Sequence, residues 1–385
     1  MFFLRITKIS DMRLFTITFF CLLIGFQSNS QNCLLNGITL TTQGAIDSFQ
    51  INFPDCEIIG GNVIIANDDI QNLEGLSQLR EIDGILRIAN TQLTNMEGLN
   101  ALENVRGLFV SNNSLLENMV GLSALENIGS IGLELEENPV IENLTGMNAL
   151  RRIEGPFFCS LNGLVNFEGL GSLTNIDGDF QILRNDNLTT CQGLERLEVC
   201  GDGFLLKSNT ALQSFTGVNR LHTIINGFWV DKNTSLVNFE GLDALTEITN
   251  FVRITDNTSL VVCSHAAVCS FLQNPGANIS VTRNAVGCNN EQEITSNCAT
   301  SSTENIDNPF EINIFPNPSQ GEIFLTGNDL DNARVTISNS VGKVVLIENF
   351  STQQSINLPN DMNGLLFVKI EKEEQVVIKK ILSIR

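Results

Sequence analysis

A glycine followed by Leu, Met or Val recurs eight times through the middle of this chain. The positions are Gly75, Gly98, Gly121, Gly146, Gly169, Gly193, Gly217 and Gly241, in steps of 23 to 25 residues. Around each glycine apolar residues return every third position, a period that fits neither an α-helix nor a β-strand. Two and five residues before each glycine, and one, four and seven after it, all forty positions hold an apolar residue or Cys. At 42% hydrophobic content, chance does not produce that. One coil cannot bury such a row, but its neighbours above and below can. The pattern therefore predicts a stack of near-identical coils, which offers a long surface and no deep pocket.

After the last slot of each coil the period changes to two, as in Leu86/Ile88, Leu108/Val110 and Phe228/Val230. That alternation predicts one short strand per coil. Nine stacked strands at ~4.8 Å would form a parallel sheet about 40 Å long. An Asn follows each strand, at Asn67, Asn90, Asn113, Asn138, Asn162, Asn185, Asn209, Asn233 and Asn257. Amides in that position are expected to satisfy buried backbone groups and to stack in a ladder.

The residue between each inward pair must point outward. That column includes Arg87, Phe109, Phe158, Leu205, Trp229 and Arg253, and it carries the only Trp of the chain. Exposed aromatic rings on one face predict a binding surface. A one-residue slip in register would reverse the face.

Net charge is −21 and the pI near 4.4, so a nucleic-acid partner is not expected. Tyr is absent and His occurs only twice, which argues against general acid–base catalysis. Metal-site, phosphate-loop and catalytic-triad motifs are missing, and neither a metal nor a cofactor is expected. The chain is read as no enzyme; a polysaccharide hydrolase is the remote alternative.

Arg5, Lys8 and Arg13 precede an apolar run from Leu14 to Phe26, too short to span a bilayer with ease, and Ser28 and Ser30 suit a cleavage site. Residues 1–30 thus read as an export signal, with Met12 an equally good start; a retained anchor is the alternative. No later run predicts an integral membrane segment. Nine of the ten Cys lie beyond the signal, in a chain bound for an oxidising compartment. Cys33 and Cys56 bracket an N-terminal cap (31–56), before a solenoid over 57–262. Cys263, Cys269, Cys288 and Cys298 fall in a C-terminal cap (263–298), as two bridges of open pairing; a zinc site is the alternative, although the spacing lacks short chelating loops. Residues 299–310 are polar and aperiodic and read as a linker. Seven short alternating segments over 311–385 predict a small Ig-like β-sandwich.

The repeat L-x-x-I-x-G-x-F-x-I-x-x-N-x-x-L resembles a leucine-rich repeat, and most of all the receptor L domain. The resemblance implies an all-β, right-handed parallel β-solenoid of about nine coils. A second resemblance lies at the C-terminus. Pro316-Asn317-Pro318 with Gly321, then Gly342-Lys343, then Gly364, then Lys379-Lys380, is similar to the sorting domain of type IX secretion. It implies a Bacteroidetes-type cell, the type IX machinery as partner, and delivery to the outer surface or beyond. Together these readings predict an exported binding or adhesion protein that holds a glycan or protein on its sheet. The alternative is a structural envelope component without a discrete ligand.

Overall fold

The computed structural model describes residues 32–301, 312–316, 319–326, 330, 332–339, 343–349, 355–359, 364–372 and 375–383. The signal, residues 302–310, Asn317, Pro318 and Gly342 lie outside the described residues. The chain divides after Ser301 into two compact units.

The first unit is a parallel β-solenoid. All forty slot residues are buried in one continuous core, and the inward strand pairs are buried beside them. In the later coils Phe157, Phe167, Phe180, Phe204, Phe215, Phe228 and Phe239 form a spine, with centroids 5.1 to 6.3 Å apart. The recurring glycine is a backbone requirement. Gly169, for instance, has φ +107°, and a Cβ there would run into the Leu144 carbonyl of the preceding coil. Gly75 departs from the rule, because it lies in a 3-10 turn, Glu74–Leu76, and lacks a positive φ.

The strand column that carries the inward pairs counts eleven strands rather than nine, since each cap adds one, within a sheet of seventeen. Ile38–Leu40 pairs in parallel with the first coil, and Asn278–Thr282 with Phe251–Thr255. Helices Gln43–Asp47 and Phe49–Asn52 bury Ile46 and Phe49 at the first end. Helix Ala266–Leu272 buries Ala267, Val268 and Phe271 at the other, its N-terminus capped by His265. Disulfides join Cys33 to Cys56, Cys263 to Cys288 and Cys269 to Cys298. A last helix, Glu291–Ser301, occupies the start of the expected linker.

The Asn ladder forms, but from Asn113 rather than Asn67. Each backbone N–H donates to the Asn Oδ1 of the next coil at 2.9 to 3.1 Å, from Asn113 through Asn138, Asn162, Asn185, Asn209, Asn233 and Asn257 to Asn284. Asn67 and Asn90 are exposed and stand outside it. The register explains why: Ser111 pairs with Ala89, so the residue opposite Asn113 is Thr91, whose N–H donates to Asn113 Oδ1. Asn90 instead belongs to a column just before the ladder. Asn90, Asn112, Glu137, Leu161, Arg184, Ser208, Lys232, Asp256 and Arg283 all have φ between +54° and +60°. A left-handed non-glycine residue costs about 1–2 kcal/mol. In four coils the ladder amide bridges that residue, with Nδ2 donating to the carbonyl two residues back, as Asn185 does to Leu183 at 3.1 Å.

The second unit has two antiparallel sheets. One comprises Asn313–Phe315, Glu322–Thr326 and Ser355–Asn357; the other Val344–Asn349, Arg334–Asn339, Gly364–Lys372 and Gln375–Ser383. Ile323 and Ile356 of the first sheet share one apolar cluster with Val335, Ile337, Val368 and Ile370 of the second.

Candidate functional site

The sequence-predicted column is continuous across the sheet. Strand register pairs Ile64, Arg87, Phe109, Glu134, Phe158, Gln181, Leu205, Trp229 and Arg253 in that order. Arg87 and Arg253 are exposed, whereas Phe109, Phe158, Leu205 and Trp229 are half-buried rather than exposed. Strands under 5 Å apart force column neighbours to lean on one another. The adjoining column is more deeply packed: Ser111, Ser160, Asp231 and Thr255 are buried.

Around Trp229 the packing becomes polar and specific. The Arg253 guanidinium, from the next coil, lies 4.8 Å from the indole centroid, and Lys207 Nζ, from the coil before, lies 5.5 Å away. Both fall within cation–π range. Phe251 meets the indole edge-on at 6.5 Å. Buried Asp231 receives the Lys207 ammonium at 3.2 Å and the Thr255 hydroxyl at 2.6 Å. The indole Nε1–H is buried and is the one buried side-chain polar atom without a partner among the described residues. Such a donor usually has one.

The turn after each strand completes the site. Arg283 forms a two-pronged ion pair with Asp256. The Arg283 hydrogen bond first, then Arg283, Lys232 and Arg253 as nearby charges, hold the Asp256 carboxyl below its usual range. Five coils earlier, on the outward column, the sign reverses. Partial burial first, and Glu136 second, push the Glu134 carboxyl up.

Lys232, Asp256 and Arg283 were not expected at the site, since a turn residue following a strand carries no alternation. Their signal is positional, each standing just before a ladder Asn. Phe251 was missed because the alternation extends one step upstream of Val252.

Other chemistry-bearing groups are occupied structurally. Cys159, Cys191 and Cys200 are free, buried thiols; burial pushes the first two up to about 12 and Cys200 higher still. A cleft of about 510 Å³ on the C-terminal cap is lined by Val286, Asn290, Glu293 and Asn297 among others. Its Glu293 carboxylate already accepts the Gly287 and Asn289 N–H groups. Among the described residues no group of three His, Cys, Asp or Glu is placed to hold a metal, and no helix is long and apolar enough to cross a membrane.

In the second unit, Pro316 follows the first strand. Gly321 has φ +115° and donates to Ser319 Oγ at 3.1 Å. Lys343 closes a turn with Asn339, through its N–H to Asn339 Oδ1 at 2.9 Å. Gly364 opens the long strand at φ +105°. Lys379 and Lys380 are exposed on the last strand, paired with Val368 and Phe367.

Residues 55–149 match the Receptor L domain, and residues 313–384 match the Secretion system C-terminal sorting domain. No curated protein matches the chain. The C-terminal match marks the chain for type IX secretion to the cell surface or beyond. The receptor L match ends before the coils that build the Trp229 site, although the repeat runs on to Asn284.

Proposed function

We propose that this chain is an exported, non-enzymatic binding protein, and that it captures a glycan or protein ligand on the outer face of the solenoid around Trp229. One observation carries the reading. The single Trp of the chain lies on that face between two cations, with a buried N–H that no protein group accepts. Burying such a donor unpaired costs about 1–3 kcal/mol. A ligand acceptor would recover that cost once the side chains packed over the indole move aside to admit it. The receptor L match supports binding as the role of the solenoid, and the sorting domain supports delivery to a surface where ligands are met.

The test is a glycan and peptide array probed with the purified chain and with Trp229→Ala/Arg253→Ala. Capture should weaken at least about tenfold, the loss expected for a buried aromatic anchor. Ile64→Ala, at the far end of the column, should capture normally. Retention of every array ligand by the double variant would remove the site assignment.

A further inference from the structure

The charge on this face runs against that of the chain. Five successive strands, from Phe180–Leu183 to Asn278–Thr282, each carry one cation on the strand or on the residue after it: Arg184, Lys207, Lys232, Arg253 and Arg283. Of the carboxylates in these coils only Asp231 and Asp256 stand on one of these strands or on the residue after it. Asp179 and Asp202 come shortly before a strand and Asp186 follows Arg184 by two residues, Asp202 accepting from the Asn226 amide and Asp186 from the Thr210 hydroxyl. Asp231 is paired with Lys207 and Asp256 with Arg283, and Asp179 accepts from the Gly203 N–H and the Gln181 amide. Arg184, Lys232 and Arg253 are exposed and form no ion pair among the described residues. At physiological salt the Debye length is about 8 Å, so the remaining acidity of the chain is largely screened from a ligand seated here. The acidic strand at Glu134 and Glu136 bounds the patch on its N-terminal side.

The spacing of the cations selects among anions. Arg184, Lys232 and Arg283 share the turn column and recur every second strand, about 9.6 Å apart along the stack, while Lys207 and Arg253 stand further back on the strands between them. An extended peptide presents same-side groups every second residue, about 6.6–6.8 Å apart, and falls out of step. A linear hexuronate chain in an extended twofold conformation presents same-side carboxylates every second ring, close to two strand steps, with the intervening carboxylates turned the other way. The indole is already flanked by Lys207 and Arg253, which leaves charge rather than ring stacking as the means of recognition. Resting on the reading of this sheet as the ligand face, we propose that coils 180–284 bind a linear polyuronate lying along the solenoid axis, one same-side carboxylate per cation of the turn column.

The test titrates the full chain at physiological salt with three probes: polygalacturonate, the same polymer fully methyl-esterified, and polyglutamate. Polygalacturonate should bind at least about tenfold more tightly than either of the others, one charged contact being worth that much. Arg184→Glu/Lys232→Glu alters two exposed side chains that make no ion pair among the described residues, and should lose about tenfold or more. Arg196→Glu/Arg220→Glu, the same charge change at exposed positions off the sheet, should bind normally. Equal binding of the esterified polymer, preference for polyglutamate, equal loss in both variants, or no binding of polygalacturonate would each overturn the proposal. Array capture that depends on Trp229 alongside any of these results would leave the binding face standing. Loss of Trp229 dependence would remove that face itself.

Discussion

Two columns run along the stack through the same coils, one inside and one outside, and they obey opposite rules. The inner ladder repeats one residue type from Asn113 to Asn284. The outer column passes through Arg87, Phe109, Glu134, Phe158, Gln181, Leu205, Trp229 and Arg253 with no repetition. Both place one residue in each coil at the same spacing. The difference is water. A buried amide must find every partner within the protein, so each coil needs the same side chain in the same place. An outer side chain has solvent as an alternative partner, so its identity is free to serve another end.

The sharpest way to break this contrast is to cut both columns in one coil. Asn185 Oδ1 accepts the Asn162 N–H at 2.9 Å, and its Nδ2 donates to the Cys159 and Leu183 carbonyls at 3.1 Å. Asn185→Ala orphans these groups and should cost about 3 kcal/mol or more. Gln181→Ala, on the outer column four residues earlier, should stay within about 0.5 kcal/mol of the parent. Denaturant midpoints measure both. Equal losses would mean that the ladder does not set the repeat.

The ladder and core were legible in the sequence because burial imposes periodicity. The forty apolar slots, the strand register and the outward Trp229 all follow from spacing alone. What spacing could not show is where two periodic features meet. Asn90 has the right residue type but stands one place before the ladder register, which the neighbouring strand fixes through the Ser111–Ala89 pair. Leu161, Arg184 and Lys232 look like ordinary surface residues, yet the turn forces each into the left-handed region. The cations around Trp229 come from strands and turns of separate coils, so only the stacked structure brings Lys207, Arg253 and Arg283 to one neighbourhood. The cap strands went unseen for a related reason. Ile38–Leu40 and Asn278–Thr282 have no recurring glycine to announce them.

A second break concerns the inner slots that hold Cys instead of a hydrocarbon. Burial raises the Cys159, Cys191 and Cys200 thiols in the folded state. The folded protein therefore keeps a proton that the unfolded chain releases above about pH 8.5. Their contribution to stability is full below that pH and declines as pH rises toward the folded values, by about 1.4 kcal/mol per pH unit for each thiol. Denaturation midpoints at rising pH should fall accordingly, and Cys191→Ala should remove about a third of the slope. An unchanged slope in that variant would show the thiols to be hydrated, and the inner column less dry than its apolar lining implies.

The smallest effect tests the turn that lies between the two columns. Leu161 has φ +56° and is exposed, so its side chain gains little from packing while its backbone pays for the left-handed turn. Glycine would remove that strain, about 1–2 kcal/mol, against about 0.5–1 kcal/mol for the added freedom of the unfolded chain. Leu161→Gly should therefore stabilise the protein by about 0.5–1 kcal/mol, read as a rise in the denaturant midpoint. The same change at Val165, which is exposed to a similar extent but has a negative φ, should destabilise. Should both variants lose stability, the strain at the turn is already offset by the Asn162 amide, whose Nδ2 donates to the Ser160 carbonyl at 2.8 Å across it. The repeat would then be held by the ladder alone.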